Sequence, residues 1–215
     1  FHEVRLSIGV YKTWQAWYTL TTMGAVMESL VLPFISKTLP PKLPKHWVRR
    51  AHLLEKLDAS LVQRLLVMWA PAGYGKTTLL VDFASRLDRS TCWYSFLPED
   101  REPAEFLAYC VKAIQRRWPE FGVRSCRLEQ VLGSPDWLRS LGLFTSALQN
   151  EIQEDLVLIL DDVHHTDSKP DLCKALSLLV ERAPQQVHII ISSRTRPLLN
   201  CLPRLISGQE VAWLT

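Results

Sequence analysis

One stretch of eight residues, Ala70-Pro-Ala-Gly-Tyr-Gly-Lys-Thr77, constrains the fold more than any other. The apolar run Leu65-Leu-Val-Met-Trp69 precedes it, and an amphipathic segment with Leu79, Leu80, Phe83, Ala84 and Leu87 follows it. Strand, tight loop, helix is the setting in which such a loop binds phosphate. Gly73 and Gly75 permit backbone torsions and a close approach that a Cβ forbids. The backbone from Ala72 and Gly73 through Tyr74, Gly75, Lys76, Thr77 and Thr78 can then turn its N–H groups inward. Together with the helix N-terminus these groups cradle a polyphosphate. Lys76 adds a mobile point charge for the β- and γ-phosphates, and the Thr77 hydroxyl is placed to ligate Mg²⁺. The general pattern G-x-x-x-x-G-K-[ST] meets Ala70 where its first glycine belongs, so it fails at one position. A glycine-bearing turn that happens to precede Lys-Thr is the plainer alternative, and the flanking strand and helix argue against it.

The rest of the chain alternates short apolar runs with helical periodicity. From Arg50, Leu53, Leu54, Leu57 and Leu61 share a helical face. Thr91 to Phe96 is β-branched and aromatic and reads as a strand. Pro103 opens a helix with Phe106, Leu107, Cys110, Val111, Ile114 and Trp118 at helical spacing, whereas 119–133 reads as irregular. Ser134-Pro135 starts another helix, with Trp137, Leu138, Leu141, Phe144, Leu148 and Ile152 on one face. Leu156 to Leu160 and Val187 to Ile191 are continuous apolar runs of the kind buried on both faces of a parallel sheet. Pro170 starts a helix with Leu172, Ala175, Leu176, Leu179 and Val180 inward, and a last strand spans 210–214. This alternation predicts a P-loop NTPase fold, a three-layer α/β/α sandwich around a mainly parallel five-stranded sheet.

A phosphate loop alone holds a nucleotide; hydrolysis needs a metal and a group that senses the γ-phosphate. Asp161 and Asp162 end an apolar strand 84 positions after Thr77. Ligands in doubly wound sheets sit at the carboxyl ends of strands, so these acids are expected beside the loop. Asp161 is assigned to Mg²⁺, directly or through water, and Asp162 to polarising the attacking water. Arg194, just past the next strand, is placed to reach the γ-phosphate. His164 and His165 invite a metal reading, but no further ligands lie at suitable spacing, and they read as polar loop residues.

Residues 36–215 resemble the nucleotide-binding domain of STAND-type signal-transduction ATPases, in the branch of large bacterial LuxR-type regulators that includes the maltose-regulon activator. Four stretches carry the resemblance: Arg50-Ala-His-Leu-Leu54, Ala70 to Leu79, Trp93-Tyr-Ser-Phe-Leu-Pro-Glu-Asp100 with Phe106, and Leu158-Ile-Leu-Asp-Asp-Val-His164 with Ser193-Arg194. Pro71 to Leu79 is specific to this branch; the aspartate pair and Ser-Arg are generic to the superfamily. The resemblance implies that the sensor strand lies between the loop strand and the Walker B strand, and that Arg50 lies near the nucleotide. It also implies a switch with an ADP-bound resting form, an ATP-bound form that self-associates, and slow hydrolysis that resets it. Adenine over guanine is likewise implied, and no guanine-reading Asn-Lys-x-Asp string is present. In that family a helical subdomain, a winged helix, inducer-sensing repeats and a DNA-binding helix-turn-helix follow, with Thr215 falling about where the first would begin. DNA binding is therefore expected only of a domain outside this sequence.

Residues 1–34 read as an extension to the nucleotide-binding domain at 35–215. The uncharged stretch Thr13 to Met27 is 15 residues long, short of the ~20 that span a bilayer. The natural start is expected at Met27 or Met23. A net charge of +3 and the lack of a basic stripe with interleaved aromatics argue against an ATPase working on nucleic acid. Cys92, Cys110, Cys126, Cys173 and Cys201 form no C-x-x-C pair and suit free thiols in a reducing cytosol. Two outputs stay open: the switch of a transcription regulator, or the ATPase module of a signalling or defence protein.

Overall fold

The computed structural model describes residues 36–87, 89–123 and 136–215. The expectations for residues 1–34, for Cys126 and for the Ser134-Pro135 helix start lie outside them. In chain order the elements are α1 (Ala51–Ala59), β1 (Leu65–Trp69), α2 (Lys76–Ala84), β2 (Ser90–Ser95), α3 (Pro103–Gln115), α4 (Trp137–Glu151), β3 (Leu156–Asp161), α5 (Pro170–Arg182), β4 (Val187–Ser193), α6 (Leu202–Ser207) and β5 (Val211–Leu214). Short 3₁₀ turns follow α1 (Ser60–Val62) and β3 (Val163–Thr166).

The sheet order is β2-β3-β4-β1-β5, and every pairing is parallel. The sensor strand β4 therefore lies between the loop strand β1 and the acid-bearing strand β3, as the resemblance implied. Alternation along the strands builds two cores. Leu66 and Met68 of β1, Trp93 of β2, Val157 and Ile159 of β3 and Ile190 of β4 pack with Leu54 and Leu57 of α1 and with Leu79, Leu80 and Phe83 of α2. The alternate residues, among them Val67, Tyr94, Leu158 and Ile189, are buried on the other face. There α3 packs on β2, and α3, α4 and α5 pack on one another. Three layers result, and β3 is buried along its whole length because helices cover both of its faces.

Local chemistry sets the boundaries. Asp136 caps α4 by accepting from the Arg139 N–H at 3.1 Å, so that helix begins at Trp137. Leu138, expected on its inner face, is exposed, while Leu141, Phe144 and Leu148 carry the packing. Helix α6 went unread in the sequence because it is six residues long and holds Pro203, which an α-helix tolerates only in its first turn.

The lead-in before α1 is anchored by an ion pair. Lys37 donates to Asp100 Oδ1, and both side chains are buried. Asp100 Oδ2 also accepts from Tyr94 Oη at 2.8 Å and from the Leu97 N–H at 2.9 Å. The Lys37 ammonium lies 4.7 Å from the centroid of the Tyr109 ring. With its charge and lone pairs matched, the pair is tolerable without water. The four described cysteines, Cys92, Cys110, Cys173 and Cys201, are buried free thiols. Burial pushes the Cys92 thiol up to about 12, so it stays protonated.

Candidate functional site

Strands β1, β3 and β4 end together, and their register assembles a polar cluster. Met68 and Trp69 stand opposite Ser192 and Ser193, and Leu160 opposite Ile191. Asp161 is thus brought beside Ser192, and the loop leaves β1 with the Ala70 N–H donating to the Ser193 carbonyl at 3.3 Å. The loop then turns through Gly73 (φ +83°) and Gly75 (φ +74°), and α2 begins at Lys76. At Gly73 a Cβ would meet open space, so only the left-handed backbone demands glycine. At Gly75 a Cβ would also fall 2.9 Å from Arg50 Nη2. Arg50 leans over the loop and donates through Nη1 to the Tyr74 carbonyl at 2.8 Å.

Lys76 is buried, and its ammonium donates to the carbonyls of Ala70 at 2.6 Å and Pro71 at 3.1 Å. Burial pulls its pKa below the ordinary lysine value; Asp162 and then Asp161 oppose that shift, and Arg194 adds to it. The Thr77 hydroxyl donates to Asp161 Oδ2 at 2.9 Å, and the Ser192 hydroxyl donates to Oδ1. Burial raises the Asp161 pKa, the Ser192 bond opposes the rise, the neighbouring Asp162 charge reinforces it, and the Thr77 bond opposes it again. A threonine hydroxyl and a carboxylate meeting at a helix N-terminus are hard oxygen donors. Together with phosphate oxygens they suit Mg²⁺, which keeps few protein ligands.

Asp162 adopts a left-handed backbone (φ 57°), which aspartate tolerates better than most residues. That kink turns the chain from β3 into the 3₁₀ turn, where the His165 N–H donates to the Asp162 carbonyl at 3.1 Å. His164 Nδ1 lies 3.6 Å from Asp162 Oδ1, and its ring lies 4.1 Å from that of His165. Burial lowers the His164 pKa, with His165 adding to the shift and Asp162 opposing it, so the ring is neutral at pH 7. No group of three or more His, Cys, Asp and Glu side chains that could hold a metal occurs among the described residues.

Of the residues expected at the site, Lys76, Thr77 and Asp161 meet in one cluster, with Asp162 at its edge and Arg50 on the loop. Arg194 is exposed, past the end of β4, where its charge is felt by Lys76 and His164. Ala72, Gly73 and Tyr74 form the exposed turn of the loop. Thr78 lines a cleft of about 240 Å³. Residues 44, 46–48 and 50 of the lead-in line one side of this cleft, and Gly75, Thr78, Leu79 and Asp82 line the other. Sequence reading missed this cleft and the Ser192 partner of Asp161. Ser192-Ser193 was visible at the strand end, but only the β3–β4 register shows which acid it faces.

A profile of the AAA domain family matches residues 60–199. The chain belongs to the AAA domain family. This AAA domain is 30% identical over 167 residues to the HTH-type transcriptional regulator MalT of Cronobacter sakazakii, covering 76% of the chain and 18% of that protein. It is 32% identical over 168 residues to MalT of Yersinia enterocolitica, again covering 76% of the chain and 18% of the relative. The chain thus spans less than a fifth of the length of these relatives. Among solved structures, the ORC1 protein of Aeropyrum pernix, determined in complex with DNA, aligns with a TM-score of 0.55 at 17% identity, over 82% of this chain and 47% of that one. At that identity the likeness shows the fold, a P-loop AAA architecture.

Proposed function

We propose that the chain is the ATP-binding, slowly hydrolysing switch module of a STAND-type bacterial transcription regulator, with residues 35–215 as the nucleotide-binding domain. The observation that carries this reading is the 2.9 Å bond between Thr77 and Asp161 at the N-terminus of α2, beside the buried Lys76. Phosphate oxygens take the place of the Ala70 and Pro71 carbonyls around the Lys76 ammonium. The loop N–H groups and the helix N-terminus hold the polyphosphate. Thr77 and Asp161 would hold Mg²⁺, which when bound supplies positive charge to the phosphates and to a carboxylate that burial otherwise disfavours. Asp162, at the left-handed kink that ends β3, orients the attacking water. Arg194 senses the γ-phosphate from the end of β4, and Arg50 follows the loop as it closes on the nucleotide.

Likeness to MalT supports a regulator over a signalling or defence output. In this reading ADP marks the resting form and ATP the self-associating form. Inducer sensing and DNA binding belong to other parts of a longer protein, which acts in the cytoplasm. None of the described helices is long and apolar enough to cross a membrane, and no membrane partner is assigned. Equilibrium titration with ATP and ADP, with and without Mg²⁺, tests the module. Binding of both, with ATP strengthened by Mg²⁺, is expected; ATP binding indifferent to Mg²⁺ would overturn the Thr77–Asp161 assignment. Sedimentation of the full-length protein in ADP and in ATP tests the switch, and equal masses in both would remove it.

A further inference from the structure

The loop and its acids account for phosphates and metal and leave the base unread. Helix α2 carries another acid that none of that chemistry uses. Asp82 lies one helical turn beyond Thr78 on the same face, and it lines the cleft with His46, Trp47 and Val48. It is 2% exposed. Its two oxygens are treated differently. Oδ1 accepts from Arg86 Nε at 2.7 Å, an i,i+4 pair. Oδ2 is buried and has no hydrogen-bond partner among the described residues. The Arg86 pair explains the first oxygen and leaves the second unexplained, and a buried acceptor without a donor is rare because it is costly. A cleft with flat rings in its wall and one free acceptor suits a planar heteroaromatic group with a single donor on its edge.

We propose that Asp82 selects the base. On the nucleotide reading above, the cleft takes the base of the nucleotide whose phosphates lie on 73–78, and Asp82 Oδ2 accepts from the 6-amino group of adenine. Hypoxanthine and guanine carry a carbonyl oxygen at that position, which would face the carboxylate acceptor to acceptor. A carboxylate that recognises guanine uses both oxygens, on N1–H and the 2-amino group; Arg86 already holds one of them here. The acid is therefore an adenine reader.

The test begins with the wild-type chain and needs no variant. Dissociation constants for ADP, for IDP with its 6-oxo group, and for purine riboside diphosphate with hydrogen at C6 are measured by calorimetry. ADP is expected to bind about tenfold more tightly than IDP, the effect of one hydrogen bond exchanged for a repulsion, with the 6-hydrogen analogue between. Asp82→Asn then predicts a reversal. Arg86 Nε needs an acceptor, so the amide oxygen takes the Oδ1 place and the NH₂ group the Oδ2 place. ADP weakens and IDP tightens, each by about tenfold. Inorganic tripolyphosphate binding to the wild type reads the loop alone. If tripolyphosphate binds and ADP and IDP bind equally, the base assignment falls and the phosphate site stands. Tightest binding of GDP overturns the assignment too, and if neither tripolyphosphate nor any nucleotide binds, both readings fall.

Discussion

Replacing Gly75 with alanine separates two demands that the loop places on one residue. The first is conformational: at φ +74° a Cβ costs about 1–2 kcal/mol. The second is steric, because the added Cβ would lie 2.9 Å from Arg50 Nη2, closer than real Cβ contacts allow. The guanidinium is the far end of a flexible side chain, so it swings away. It then loses its 2.8 Å bond to the Tyr74 carbonyl, worth roughly 0.5–1 kcal/mol in a solvent-exposed setting. The total for Gly75→Ala is about 1.5–3 kcal/mol. Gly73→Ala is the control, with a similar left-handed backbone (φ +83°) and nothing for its Cβ to meet. It should lose about 1–2 kcal/mol. Equilibrium urea unfolding, read as a midpoint at constant m, measures both. The decisive comparison is a cycle with Arg50→Ala. In that background Gly75→Ala should cost no more than Gly73→Ala, a coupling of roughly 0.5–1 kcal/mol. A coupling below about 0.3 kcal/mol, the noise of additivity between independent sites, would mean that Arg50 does not lie over the loop and would refute the reasoning.

Four further outcomes are expected. Lys76→Ala loses triphosphate binding by at least about a hundredfold, since a charge-assisted bond to phosphate goes with the ammonium; unchanged ATP affinity in a filter or calorimetric assay would refute the site. Asp162→Asn leaves ATP affinity near wild type and slows phosphate release in a single-turnover assay, and loss of binding instead would exchange the roles of the two acids. Asp161→Asn raises the melting temperature of the nucleotide-free chain at pH 7. Burial raises the Asp161 pKa in the folded state, so folding takes up a proton between the unfolded value near 3.8 and the folded one. Stability from this group is therefore greatest below that window and falls as pH rises through it. The advantage of the variant should shrink from pH 7 towards pH 4, and a widening gap in melts across that range would reverse the sign. Lys37→Met breaks the buried Lys37–Asp100 pair and should cost about 3–5 kcal/mol; a loss under about 1 kcal/mol by urea unfolding would show water reaching the pair.

The loop end of the fold was legible because its signals are local. Gly-Lys-Thr after an apolar run marks loop and helix, and the unbroken apolar character of Leu156 to Leu160 marks a strand covered on both faces. What joins them was legible only through the expected topology: Thr77 and Asp161 meet across 84 positions because parallel strands β1 and β3, one strand apart, end at the same edge of the sheet. Asp82 shows where local signals end. In sequence it is an acid within an amphipathic helix, which reads as the solvent side. It is buried because the proline-broken lead-in folds across that side, and a segment without periodicity announces no packing partner. Leu138 errs in the other direction, matching the spacing of Leu141 and Phe144 while lying at the rim of the packed face.

The strand order also sets a timetable for synthesis. Among the described residues, strand β1 pairs only with β4 and β5, whose residues are made roughly 120 or more positions after Leu65. At about 5–20 residues per second, Leu-Leu-Val-Met-Trp leaves the ribosome and waits on the order of 6–25 s without either neighbour. Strands β2 and β3 can associate earlier, because Ser90 meets Leu156. The strand that feeds the phosphate loop is thus the last to be framed on both sides. During that interval its open edges are exposed to mispairing with other chains, and the phosphate loop takes its final shape only after β4 and β5 have been translated.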